Sequence, residues 1–256
     1  MNPIASTLRL STSLLASQAR LWRGTAAFRP ARRQPEQPLV LYEYESCPFC
    51  RLVREALTEM DLDADIRPCP RGGKRFRPRA IALGGKRQFP LLEDPNTGTQ
   101  MHESADIIAY LAQTYGARVR VAHGLARALA VAGGETASLV RGLRGMLARP
   151  SIAPEQPLEL YSFESSPYSR LVRERLCELE LPYRLRNAGK ARWEDMGPPG
   201  LRHRLFPELP VSGRNREALL ARAGKVQFPY LVDPNTGTEL FESAAICDYL
   251  ERQYAA

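Results

Sequence analysis

Apolar and polar positions fall into short blocks whose periods differ. Leu39 to Tyr44 (LVLYEY) is dense in strand-forming residues and follows a proline, which predicts an inner strand. Pro48 suits the first turn of a helix, and Leu52, Val53, Ala56, Leu57 and Met60 recur at the spacing of one apolar helical stripe. A short strand is predicted over 64–67 and a short helix over 79–83. Segments 90–92 and 99–102 then flank Asp94-Pro95-Asn96-Thr97-Gly98, a turn cluster that closes an antiparallel hairpin. Ser104 is placed to cap a last helix carrying Ile107, Ile108 and Leu111 on one face. The order βαβαββα makes one small mixed sheet covered by helices.

The pattern occurs twice. Residues 35–62 match 154–181 at 18 of 28 positions, and 85–115 match 224–254 at 19 of 31. The offset grows from 119 to 139, so the second copy carries 20 extra residues, within 187–217. That insertion, around Trp193 to Pro210, is expected to cover the second copy's pocket. A tandem duplication of two α/β units is therefore expected: 39–116 and 158–256, preceded by segments 1–38 and 117–157.

Composition narrows the class. With 256 residues, 44% of them hydrophobic, the chain can fill a core, which excludes disorder and a stapled mini-fold. Five cysteines are too few for a secreted scaffold, and the odd number points to a reducing compartment, read as cytoplasmic. The net charge of +8 lies outside the repeats: residues 1–38 carry +5 and 117–157 carry +4. In these segments Leu14, Leu15, Leu21 and Trp22, and Leu139, Val140, Leu143, Met146 and Leu147, mark basic amphipathic helices. Two readings stay open for them: packing against the repeats, or peripheral contact with an anionic membrane surface. Residues 1–38 alone would also pass for an organellar transit peptide, but the second segment is internal. No nucleic-acid motif accompanies the charge, so no specific nucleic-acid partner is expected.

The chemistry-bearing stretch is Glu45-Ser46-Cys47-Pro48-Phe49-Cys50-Arg51, between strand and helix. A cysteine at a helix N-terminus meets unpaired backbone N–H groups and the positive end of the macrodipole, which stabilise its thiolate. Cys47 is the expected nucleophile. Cys50, one turn later, is placed to attack a mixed disulfide on Cys47 and release the product. From Arg67 to Arg87 there are eight basic residues and no acidic one, a field that favours thiolates and anionic substrates. The pair could instead be half of a zinc site, completed from Cys69, His102, His123 or His203, but no second CxxC accompanies it and no metal is expected. Cys177 and Cys247 fall on helical stripes and read as buried apolar residues.

These motifs together resemble the thioredoxin fold as used by glutaredoxins and by the N-terminal domain of glutathione S-transferases. The resemblance covers both copies and implies two tandem thioredoxin-like domains. It implies cis peptides at Pro90 and Pro229, with the backbone of Phe89 and Phe228 pairing to the cysteinyl part of glutathione. Glu103 with Ser104, and Glu242 with Ser243, would hold its γ-glutamyl end; Arg51, Lys86 or Arg87 would take the glycyl carboxylate. Glutathione would be the co-substrate and disulfides or glutathionylated thiols the substrates. A glutathione-ligated iron–sulfur cluster is a further implication of the glutaredoxin likeness. The second copy reads Ser166-Pro167-Tyr168-Ser169 and so keeps the scaffold without either thiol. The helical domain of a standard transferase does not follow, which favours a dithiol oxidoreductase. The alternatives are a glutathione-binding adaptor without turnover, or a transferase in which Ser166 polarises bound glutathione.

Overall fold

The computed structural model describes residues 3–119, 121–197 and 204–256. Each copy supplies four strands. The first contributes β1 (Leu39–Glu43), β2 (Ala64–Pro68), β3 (Leu91–Asp94) and β4 (Thr99–His102); the second contributes β5 (Leu158–Ser162), β6 (Tyr183–Asn187), β7 (Tyr230–Asp233) and β8 (Thr238–Phe241). All of them join one eight-stranded sheet in the order β4-β3-β1-β2-β6-β5-β7-β8. Within each unit the first two strands are parallel and the hairpin is antiparallel.

The units meet at β2 and β6, which pair antiparallel with Ala64 opposite Leu185, Asp65 opposite Arg184 and Ile66 opposite Tyr183. Asp65 and Arg184 are equivalent positions of the repeat, so the pairing is centred on a pseudo-twofold axis. An ion pair marks it, with Arg184 Nε 2.8 Å from Asp65 Oδ1.

Eight α-helices dress the sheet among the described residues. They are α1 (Pro3–Gln18), α2 (Pro48–Glu59), α3 (Arg77–Gly84), α4 (Ser104–Tyr115), α5 (Gly124–Val140), α6 (Pro167–Glu178), α7 (Arg214–Ala223) and α8 (Ser243–Tyr254). Leu39, Leu41, Leu158 and Leu160 face α2, α4, α6 and α8 and form one apolar core continuous across both units. Residues between them in register point to the opposite face, where Tyr42 and Phe89 pack with α3, and Tyr161 and Tyr230 with α7. The repeated Asp-Pro-Asn-Thr-Gly turn is fixed by its own side chains. Asp94 accepts hydrogen bonds from Asn96, Tyr110 and Tyr115, and Asp233 from Asn235, Tyr249 and Tyr254.

The two preceding segments cross over. Helix α1 packs on α6 of the second unit, α5 packs on α2 of the first, and α1 and α5 touch each other. Both end earlier than their apolar stripes predict, at Gln18 and Val140, and the chain then turns through left-handed residues Leu21, Trp22 and Leu143. The expected orientation is also inverted. Ser13, Ala16, Ser17 and Arg20 face inward with their counterparts Gly134, Ala137, Ser138 and Arg141, while Leu14, Leu15, Leu139, Leu143 and Leu147 are exposed. Small residues let the helices approach closely: a Cβ at Gly134 would sit 3.0 Å from that of Pro48. At least five of the twelve arginines in these segments pair with carboxylates among the described residues, Arg20 with Glu55 and Arg141 with Glu174 in buried pairs, and Arg23 with Glu59, Arg127 with Glu103 and Arg149 with Glu251 nearer the surface. No helix among the described residues is long and apolar enough to cross a membrane. The insertion includes 198–203, so the expectation that it covers the second pocket falls partly outside the described residues.

Candidate active site

Cys47 occupies the N-cap of α2 with extended backbone (φ −73°, ψ 121°), and Pro48 takes the first turn. Its sulfur accepts the backbone N–H of Cys50 at 3.3 Å and lies 3.9 Å from Phe89 O. Burial pushes this thiol up, but hydrogen bonds from the Cys50 thiol and from the N–H groups of Cys50 and Phe49, with the Arg54 charge, outweigh it and bring it to about 7. Cys50 goes the other way. It is fully buried, and burial together with its bond to Cys47 and the Glu43 charge holds its thiol well above the ordinary range. The two sulfurs are thus distinguished as an exchange site requires, one ionisable and one protonated. In the second unit Ser166 caps α6 the same way, its Oγ accepting Ser169 N–H at 3.2 Å, so the scaffold persists where the sulfur does not.

The cis-proline loop and the Glu-Ser pair lie together. Both the Phe89-Pro90 and Phe228-Pro229 bonds are cis. Glu103 precedes α4 with φ 71°, Glu242 precedes α8 with φ 69°, and the serines begin the helices without capping them. Such left-handed backbone at non-glycine residues costs on the order of 1–3 kcal/mol and collects at binding sites. Gln88 Nε2 donates to Glu103, and Gln227 Nε2 to Glu242, tying each Phe-Pro step to its Glu-Ser pair. Arg127 of α5 reaches Glu103 at 3.4 Å. Ser104 Oγ is buried without a hydrogen-bond partner, leaving an unused donor and acceptor at a helix N-terminus. The sequence signal for Gln88 was present, a glutamine before Phe-Pro in both copies, but its partner is visible only in the fold.

Arg51 goes elsewhere. It is 2% exposed and faces Glu164 of the other unit at 3.5 Å, within a buried charge cluster rather than at a carboxylate-binding rim. Lys86 and Arg87 remain exposed after α3. The centre of that cluster is Arg54, which holds Glu43 and Glu45 of its own unit and Glu164 across the axis. Arg173 mirrors it, binding Glu164 and reaching back to Glu45. Among the described residues no group of three or more histidine, cysteine or acidic side chains is arranged to hold a metal.

The site is closed. Cys47 is 2% exposed, in an apolar cluster with Cys50, Cys69, Ala80 and Phe89, against which Phe76 and Leu83 of the α3 region pack. Arg77 fastens the cover: its guanidinium lies 4.7 Å from the Phe89 ring centroid, and Nη1 donates to Cys69 O at 2.7 Å. Arg216 does the same in the second unit, over Phe228 and onto Ala188 O. A cation–π contact and one charged hydrogen bond are together worth about 1–3 kcal/mol. Arg77→Ala is therefore expected to raise the alkylation rate of Cys47 by iodoacetamide about tenfold or more. An unchanged rate would mean that opening does not depend on this fastening.

A family model for the glutathione S-transferase N-terminal domain matches residues 41–119 and 160–256. The chain belongs to that family. It carries the glutathione S-transferase N-terminal domain twice, in tandem, as a thioredoxin-like fold. Among solved structures it is similar to a glutathione transferase of Bombyx mori, at 27% identity and a TM-score of 0.28. That likeness covers 32% of this chain and 38% of the other, so the match spans well under two thirds of the Bombyx mori chain. No curated protein matches.

Proposed function

We propose that the protein is a glutathione-linked thiol–disulfide oxidoreductase with one dithiol site, in the first unit. The observation that carries this reading is the unequal pair at the start of α2: Cys47, brought to about 7, and Cys50, fully buried and protonated one turn later. Cys47 thiolate attacks one sulfur of a disulfide, forming a mixed disulfide and expelling the other half as thiolate. Cys50 then attacks Cys47 sulfur and releases the second half as thiolate, and two glutathione molecules reduce the resulting Cys47–Cys50 disulfide, becoming glutathione disulfide. Alternatively, glutathione attacks the substrate-derived sulfur, forms a disulfide with it and frees Cys47 as thiolate. Family membership supports glutathione as the co-substrate, with its γ-glutamyl end at Glu103 and Ser104 and its cysteinyl part along Phe89 and Pro90. The second unit supplies the other half of the sheet and of the buried charge cluster. The five free cysteines fit a reducing compartment such as the cytoplasm.

The test is reduction of a small glutathione mixed disulfide, with glutathione as reductant, by the wild type and by Cys47→Ser. Activity is expected to fall to background in the variant; equal rates would exclude the mechanism. The near-complete burial of Cys47 favours a second reading, a glutathione-binding adaptor without turnover. Calorimetric glutathione binding with no turnover in the wild type would select it.

A further inference from the structure

Cys50 is fully buried, so when it attacks, its proton needs an acceptor inside the protein. Cys47 cannot serve at that moment, because its sulfur is in the mixed disulfide. Cys69, whose thiol burial pushes up, and Tyr44, whose hydroxyl burial also pushes up, hold their own protons near neutral pH. Three buried carboxylates, Glu43, Glu45 and Glu164, gather on Arg54, which lies one turn beyond Cys50 on the same helix, and they are not equivalent. Glu164 lies against Arg51, Arg54 and Arg173, and Glu45 against Arg54 and Arg173, whereas Glu43 pairs with Arg54 alone. Glu43 ends β1 directly before the loop to the cysteines, and its charge acts on both thiols.

The duplication supplies an internal comparison. The position equivalent to Glu43 is Ser162, whose Oγ accepts Arg173 Nη1 at 3.1 Å, just as Glu43 accepts from Arg54 Nη1. The hydrogen bond to the arginine survives in the second unit while the carboxylate is lost, together with both active-site sulfurs. Glu45 and Arg54, whose work is structural, keep their counterparts Glu164 and Arg173.

We propose that Glu43 accepts the proton of Cys50 as Cys50 attacks the mixed disulfide on Cys47. This rests on the oxidoreductase reading above. The electron pair freed on Cys50 sulfur forms the Cys47–Cys50 bond, the bond from Cys47 to the substrate sulfur breaks, and that sulfur leaves as thiolate. The proton stays on Glu43 until the next reduction returns it. The groups facing Glu43 set its readiness. Burial opposes its ionisation and Arg54 favours it; Glu45, Glu164 and the Cys47 sulfur side with burial, and the balance brings it to about 7. Cys69 beside β2, Cys177 on α6 and Tyr183 on β6 also face it, all protonated near neutral pH.

An aromatic disulfide, 5,5′-dithiobis(2-nitrobenzoate), separates the two steps. Cys47 releases the first coloured thiolate and Cys50 the second, with signal from other cysteines removed by subtracting Cys47→Ser. In Glu43→Gln the first release is expected to be as fast as in the wild type or faster. The second should slow at pH 7 by on the order of a hundredfold and keep rising with pH, and Glu43→Asp should recover part of the loss. Wild-type rate and pH profile for the second release in Glu43→Gln would overturn the proposal. Should that variant not fold, the wild type decides: a second release levelling off near pH 7 supports the proposal, and one climbing steadily past pH 9 overturns it. Absence of the first release in the wild type would remove the oxidoreductase reading and this proposal with it, a failure distinct from loss of the Glu43 dependence alone.

Discussion

Arg54→Ala should destabilise the whole molecule by about 3–5 kcal/mol, read from the urea midpoint, because it strips the shared cation from three buried carboxylates at once. A buried ion cluster is not in itself a source of net stability, since desolvation offsets most of its attraction. Removing one member is costly because the others stay behind uncompensated. The expected loss falls on both units, as Arg54 reaches Glu164 across the axis. Arg54→Lys should recover only part of it, because one ammonium cannot reproduce the guanidinium fork. The same cluster predicts acid sensitivity. Burial pushes the Glu164 carboxyl up, but Arg173, Arg54 and Arg51 outweigh it and hold it at about 2. With its folded pKa below the unfolded one, Glu164 stabilises fully above the usual carboxylate range, and that contribution drains away as pH falls toward 2. A destabilisation under about 1 kcal/mol in Arg54→Ala would show that the cluster is solvated or rearranges freely.

Gly24→Ala and Gly145→Ala are each expected to cost about 2–5 kcal/mol, the sum of a left-handed alanine and an overfilled contact. These glycines follow α1 and α5 at equivalent places, with φ of +72° and +75°. A Cβ at Gly24 would lie 2.7 Å from Glu164 Cβ, and one at Gly145 would lie 2.7 Å from Glu45 Cβ. Each therefore presses the following segment onto an acidic loop of the charge cluster. Neither neighbour is a flexible side-chain end, so the strain has to pass into the backbone of the loops before α2 and α6. Thermal melts of the two single variants and the double variant test this; near-wild-type melts would show that the segments detach without consequence.

What the sequence discloses follows from how local each signal is. The strand before Cys47, the stripe on α2 and the Asp-Pro-Asn-Thr-Gly hairpin depend on neighbouring residues, and they appear at the expected places. The joining of two sheets into one does not, because nothing in β2 alone says that its free edge will meet β6. The leucines of α1 and α5 mislead for a definite reason. An apolar stripe predicts the buried face only when the inner contact is apolar, and here small residues and one paired arginine fill it. At the site, the cysteines, the Phe-Pro steps and the Glu-Ser pairs are legible as a motif. Arg51 is not, since its position one residue after the motif fits either a binding rim or the interior, and the helix phase turns it toward Glu164. Glu43 and Arg77 act through distant partners and carry no local signature.

The continuous sheet across β2 and β6 makes one covalent chain behave as a paired assembly that cannot be diluted apart. Two separate copies would have to find each other and would be obliged to stay alike, every substitution appearing on both sides of the joint. Fusion lifts that obligation: one side carries Ser166 and Ser169 where the other carries Cys47 and Cys50, and the partnership survives at any concentration.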